Sequence, residues 1–239
     1  TERLLTLTLH YDSNLQRFLL TATLEGNFPD KAAVDAKTGI YVKGNVRLLI
    51  SQNLWELRLG EDVDLTTTPP TFTNPLTAQF WITESALSTG QAALVLNASF
   101  ANGEVQSIQG KAGVRIKTSL ILQTAWKWRK QWEVNAVAAL DAYAGGSVRF
   151  SRPSGGGLSL EYLYGTLGIN LRLTFNVQRD GEYLFGQDVN ISGNLEVWYG
   201  RNNSPKWGGT YSVGFRVKVL GVNLDLNASG GFGGGPRPF

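Results

Sequence analysis

Apolar and polar residues alternate with a period of two through nearly the whole chain, and no stretch holds a convincing 3.6-residue period. Val114, Ile116, Leu120, Leu122, Trp126 and Trp128 share one parity, while Arg115, Lys117, Ser119, Gln123, Lys127 and Arg129 take the other. An extended chain sends successive side chains to opposite faces, so this pattern makes a strand that is apolar on one side only. The same alternation recurs from Trp132 to Ala142, Leu167 to Val177, Val189 to Tyr199, Tyr211 to Val219 and Val222 to Ala228. The first half is less regular. Strands are expected through Leu5–Tyr11, Phe18–Leu24, Ile40–Ile50, Trp55–Leu59, Leu76–Ile82 and Leu94–Phe100, and only Asp30 to Lys37 suits a turn or two of helix. The expected fold is all-β: a long antiparallel meander of roughly a dozen amphipathic strands, closed as a curled sheet, a sandwich or a barrel.

Turn positions can be tested against this pattern, because facing residues of a hairpin must send their side chains to the same face. A turn at Ser13-Asn14 sets Leu9 against Leu20 and Tyr11 against Phe18. A loop at Arg129-Lys130-Gln131 sets Trp128 against Trp132 and Leu122 against Ala138. Arg179-Asp180-Gly181 sets Phe175 against Phe185 and Ile169 against Ile191, and Leu220-Gly221 sets Val217 against Leu224. Tyr199 is expected to face Tyr211, with Val197 against Val213. Gly145-Gly146 and Gly165 read as bulges that bend long strands.

Charge divides the chain. Residues 1–110 hold 7 Lys/Arg against 11 Asp/Glu, net −4, and residues 111–239 hold 15 against 8, net +7. The organisation expected is an acidic β region at 1–110 with a Pro/Thr loop near 61–75, and a basic β-meander at 111–229 that packs with it or continues it as one domain. A Gly/Pro tail or linker follows at 230–239. The chain starts at Thr1 and has no Met, which reads as a processed product or an excerpt, and its Cys-free, Gly-rich composition suits an exported protein.

Catalytic constellations are scarce. There is no Cys, and His10 is the only histidine, without a Gly-x-Ser-x-Gly elbow beside it. No Walker loop is present, and the glycine runs at 155–157 and 230–235 lack a following helix to hold a phosphate. Glu133, Asp141 and Glu161 are carboxylates on polar faces of neighbouring strands, with no spacing that singles them out for glycosidase chemistry. The chain is therefore expected to be no enzyme and to carry no cofactor. The single metal candidate is calcium at Glu61, Asp62 and Asp64, hard oxygen ligands at the entry to a long loop, weighed against an ordinary solvated acidic loop. The most distinctive local feature is Trp126-Lys127-Trp128-Arg129-Lys130-Gln131-Trp132, three tryptophans and three cations around one hairpin tip. It suits a protein contact or a membrane interface. Nucleic acid is the weakest reading, and the plain alternative is a Trp128–Trp132 cross-strand pair with its cations in water.

The leading expectation is a non-enzymatic structural or assembly module of an exported or cell-surface protein, self-associating or contacting partner proteins. The first alternative is an outer-membrane-type β-barrel, with Arg115, Lys117, Asn170, Arg172, Asn190, Asn194, Arg216 and Asn223 facing its lumen and aromatics such as Tyr199, Trp207 and Tyr211 forming girdles. The second is a carrier of lipid or another apolar ligand on a concave apolar face.

Overall fold

A computed structural model describes residues 3–83, 86–124, 132–179, 182–219 and 222–237. The chain forms β1 (Arg3–Asp12), β2 (Arg17–Phe28), the short helix α1 (Lys31–Asp35), β3 (Ile40–Ser51), β4 (Leu54–Leu59), β5 (Asp62–Asp64), β6 (Thr71–Thr73), β7 (Leu76–Thr83) and β8 (Ala86–Ala101). It continues with β9 (Glu104–Thr124), β10 (Trp132–Ser151), β11 (Ser159–Arg179), β12 (Glu182–Gly200), β13 (Trp207–Val219) and β14 (Val222–Gly233). Among the described residues twelve strands make one antiparallel sheet in chain order, and β5 and β6 form a separate small hairpin. Of the three closures expected, the chain adopts the curled sheet. The helix falls where the sequence placed it, with the Asp30 carboxylate accepting from the Ala33 N–H as its N-cap.

β4 and β7 are one strand interrupted. β4 pairs with the second half of β3 and β7 with the first, and both lie against β8. Between Leu59 and Leu76 the chain leaves the sheet and makes the β5–β6 hairpin. The neck of this excursion needs left-handed backbone at Gly60 (φ 70) and Asn74 (φ 41). Gly60 also lies so close to the returning chain that a Cβ would sit 3.0 Å from Pro75 Cα, which only glycine avoids.

The registers establish two chemically distinct faces. One row of directly paired residues crosses every strand position: Leu7, Ala22, Val46, Leu59, Leu94, Ala112, Gly146, Gly165, Val197, Gly209 and Phe232. No member of this row is polar. A neighbouring row on the opposite face reads Thr8, Thr21, Arg47, Arg58, Val95, Lys111, Ser147, Tyr164, Trp198, Gly208 and Gly233. Alternation in sequence has become a two-sided wall.

The β5–β6 hairpin lies against the polar face, and the buried core forms there. Val63, Leu65, Ala93, Tyr164 and Trp198 cluster with Phe72 packed against them. Hydrogen bonds on this face reach over an intervening strand: Tyr143 Oη of β10 donates to Asn194 Oδ1 of β12 at 2.8 Å, and Gln109 Nε2 of β9 donates to Tyr162 Oη of β11 at 3.0 Å. The aromatic pairs of the apolar face, Tyr11–Phe18, Trp55–Phe100 and Tyr199–Trp207, join only neighbouring strands. The polar face is the hollow of the curl, and the apolar face is its outside. Leu9 is 68% exposed there and Val222 70%.

Several sequence expectations need correction. The β9–β10 register sets Leu122 against Ala136, two residues from the expected pair, and the β11–β12 register sets Ile169 against Gly193 and Val177 against Phe185. One residue of the β11–β12 difference comes from the ladder closing at Arg179–Glu182 and one from a bulge at Val177/Gln178. Tyr199 faces Trp207 and Val197 faces Gly209, a slip of four, because β13 begins at Trp207. The pairs across Ser13-Asn14 and Leu220-Gly221 stand as expected. Gly145, Gly146 and Gly165 are not bulges; they pair in regular register, and the bulge of β10 with β11 lies at Arg149/Phe150. The ladder also extends past Gly230 to Gly233, where the rings of Tyr211 and Phe232 cover the bare backbone of Gly230 and Gly209.

Candidate functional site: a polar hollow with an inward-folded loop

A single row of the inner face explains why the loop of residues 61–75 settles where it does. Ala93, Gly113, Gly145, Thr166, Glu196, Thr210 and Gly231 are paired in succession from β8 to β14. Apart from Glu196, the side chains of this row are small and leave a trench. A Cβ on Gly113 would meet Val63 Cγ2 at 2.8 Å, and one on Gly145 would meet Leu65 Cδ2 at 2.6 Å. The loop's apolar residues therefore rest on bare backbone, where any larger residue would be overpacked.

Polar contacts pin the loop along the same trench. Lys111 Nζ and Asp62 Oδ1 are 2.5 Å apart. Thr68 Oγ1 donates to Glu196 Oε1 at 3.1 Å, and Thr210 Oγ1 donates to Glu196 Oε2 at 3.3 Å. The Arg237 guanidinium binds the same Glu196 oxygen. Glu196 is only 1% exposed, so these three donors take the place of water around a buried carboxylate. Arg237 reaches it because the chain turns inward after β14, with Gly234 N–H donating to Trp207 O and Asn203 Nδ2 donating to Pro236 O. One carboxylate thus ties together the loop, the sheet wall and the chain's last described residues.

Beyond the loop the hollow stays open. A space of about 450 Å³ is bordered by Thr89, Lys117, Asp141, Asn170 and Arg172, with Leu87, Ala139 and Leu140 as its apolar part. Its charges are of mixed sign and partly paired. Arg115 holds Asp141 through two bonds of 2.8 and 2.5 Å, and Arg172 lies 3.7 Å from Asp188. The residues expected to line a lumen, Arg115, Lys117, Asn170, Arg172, Asn190, Asn194, Arg216 and Asn223, all share this face. The opposite charge excesses of the two halves meet at Lys111–Asp62 on the inner face and at Arg152–Glu104 on the exposed rim, 2.5 Å each.

The remaining candidates fall as follows. Glu61, Asp62 and Asp64 are not gathered around one point. Glu61 accepts from Asn74 Nδ2, Asp62 faces Lys111, and Asp64 accepts from the Thr66 N–H and hydroxyl. Among the described residues no three His, Cys, Asp or Glu side chains group as metal ligands. Trp126, Lys127, Trp128, Arg129 and Lys130 lie outside the described residues. Trp132 opens β10 opposite Arg179. Asp141 is engaged by Arg115, and Glu161 lies 3.3 Å from Arg149, while eight residues of strand, about 26 Å, separate Glu133 from Asp141. His10 is exposed on β1. Sequence reasoning missed Glu196, Thr68 and Arg237, whose contacts bridge 128 and 41 residues of sequence. The only signal for Glu196 was a carboxylate on the polar parity of its strand.

A third feature lies at one rim of the outer face. Tyr11, Phe18, Trp55, Phe100, Phe150, Tyr199 and Trp207 stand at neighbouring register positions near the turns of that rim. Their ring pairs are 4.6, 4.9 and 5.0 Å apart. No protein-family model, curated protein or solved structure matches this chain.

Proposed function

We propose that this chain is a non-enzymatic, outer-membrane-type β-protein that seats its apolar face in lipid and offers a polar hollow, closed in part by the loop of residues 61–75. The row from Leu7 to Phe232 carries the reading: it crosses all strand positions without a polar side chain, while the row behind it holds Arg47, Arg58 and Lys111. In water such a face would be a large exposed apolar patch, and in hydrocarbon it is at its lowest free energy. The dimensions agree. Leu163 to Phe175 is about 40 Å of extended chain, which a tilt of about 45° projects to about 28 Å, close to a bilayer's apolar thickness. The aromatic rim matches the position of an interfacial girdle. The role supported is that of a pore or transporter wall, with the outer membrane as its place.

Reconstitution tests this. In vesicles containing lipids brominated at defined acyl depths, variants that retain only Trp55 or only Trp207 are expected to be quenched most strongly by the shallow label. A protein that stays dispersed without detergent and escapes quenching by every label overturns the reading.

The exported, self-associating module expected from sequence keeps its own support in the sheet edges at β1 and β14, which pair with no further strand among the described residues. Regular filaments or rings imaged by electron microscopy from detergent-free protein would favour it over the membrane reading.

A further inference from the structure

The ladder has eleven positions once β4 and β7 are counted as the one strand they form, and every neighbouring pair is antiparallel. An odd number of alternating strands leaves its two ends, β1 and β14, running in the same direction. Direct closure of β1 onto β14 would need a parallel seam in a sheet that is otherwise wholly antiparallel. A strand antiparallel to β1 is at the same time antiparallel to β14.

We propose that a single extended strand from another polypeptide binds between β1 and β14, antiparallel to both, and completes the wall as a twelfth position. The edges are weakly defended: the inward charge of β14, Asp225, is neutralised by Arg216. β1 and β14 contain no Pro and no Lys, and their ladders with β2 and β13 hold no bulge that would twist them away. Residues 234–237 turn into the hollow toward Glu196 and do not cover the free side of β14. The chemistry of the partner follows from the two edges. Outward it meets Leu7 and Leu9 on one side and Leu224 and Leu226 on the other, so alternate residues must be aliphatic. Inward it meets Thr6, Thr8 and His10 on one side and Asn223, Asp225 and Asn227 on the other; Asp225 is already held by Arg216 and Asn227, so the residues between must be small, polar and not acidic, such as Ser, Thr or Asn. The ten residues of β1 set its length. A second copy does not meet this need in a membrane: inserted in the same orientation, it would present its β14 parallel to β1. That step rests on the membrane reading, whereas the strand parity does not.

The chain has no cysteine, which makes cross-linking direct. Thr6→Cys and Asn223→Cys each place a thiol near the start of an edge strand, and circular dichroism in detergent checks that the sheet is retained. The probe is a synthetic peptide with the sequence of Arg17–Phe28, the natural antiparallel mate of β1, bearing one cysteine at its C-terminal or its N-terminal end. The C-terminal form is expected to form a mixed disulfide with each variant about tenfold faster than the N-terminal form, since pairing raises the local thiol concentration only in the antiparallel arrangement. Equal coupling by both forms, or none, overturns the proposal. So does an intramolecular disulfide between the two introduced thiols of the double variant T6C/N223C, which would mean self-closure, and so does its intermolecular counterpart, which would mean a second copy. Coupling without lipid quenching would sink the membrane reading alone; quenching without coupling would sink this proposal alone.

Discussion

At the scale of single residues, the hollow depends on what is small and on one charge. Gly145 is needed because Leu65 Cδ2 occupies the space a side chain would take, 2.6 Å from the ideal Cβ. Gly145→Val is expected to lift the loop at a cost of about 1–3 kcal/mol, read as a lower midpoint in a urea melt and faster proteolysis within residues 61–75. Gly165, on the outer face with nothing within 4 Å of its ideal Cβ, should accept the same change with little effect. Glu196 is buried while its partner Arg237 is 37% exposed, so the pair is anchored from the protein side. Glu196→Leu strips Thr68, Thr210 and Arg237 of a shared acceptor. Because Arg237 can turn to water, the expected loss is about 2 kcal/mol, below the roughly 3–5 kcal/mol of a fully buried pair. Release of residues 234–237, seen as protease sensitivity at the chain's end, is the check. Asp64 in the loop has its carboxyl pulled below the usual 3.8, first by the Thr66 hydroxyl, then by the Thr66 N–H, with Lys111 adding a little and burial opposing. A depressed folded value means that this contribution is complete above the unfolded value and disappears as pH falls through the folded one. Loop protection from proteolysis or hydrogen exchange should therefore drop in acid below the ordinary carboxyl range, and Asp64→Asn should flatten that dependence. A dependence that Asp64→Asn leaves unchanged would assign it to another group.

At the scale of elements, the excursion between β4 and β7 is an insertion in a strand that would otherwise run unbroken. β4 and β7 already lie in one line against β3 and β8. Replacing residues 61–75 with a short Gly-Ser link is expected to leave the sheet's circular dichroism intact while exposing Tyr164 and Trp198, now 1% and 8% exposed. Trp198 emission should shift to the red, and if the hollow conducts, planar-bilayer conductance should rise. Loss of the sheet itself would show that the loop is a folding core, not a plug. The elements were legible in the sequence because period two marks strand existence and face directly, from Leu5–Tyr11 through Val222–Ala228. Registers were not. The same-face rule used to place turns is blind to slips of two or four residues, and those are the slips found at β9–β10, β11–β12 and β12–β13. Gly145 was misread for a related reason: a strand glycine marks either a bulge or a close approach, and the chain that approaches lies 80 residues earlier in sequence, at Leu65.

At the scale of the whole molecule, the two faces make unequal demands on substitution. Leu167 lies outward on β11, 53% exposed, and Asn170 lies on the wall of the hollow. In a bilayer, Leu167→Arg is expected to cost about 2–4 kcal/mol near the midplane, and Asn170→Arg much less. Urea titration of folding into lipid vesicles measures both; equal small effects would argue that the outer face meets water. The sequence by itself determined that the chain is all-β, that each strand has one apolar side and one polar side, and which residues stand on each, because alternation along an extended backbone is a local property. It did not determine which side would be covered. The tertiary structure decided that the polar side lies inside the curl, because a row from Ala93 to Gly231, small apart from Glu196, assembles only when distant strands pair and gives the loop of residues 61–75 a trench to occupy and a carboxylate to bind. It also decided that eleven positions leave two like-directed edges, since the merging of β4 with β7 depends on where they meet β3 and β8 and not on any pattern within either strand.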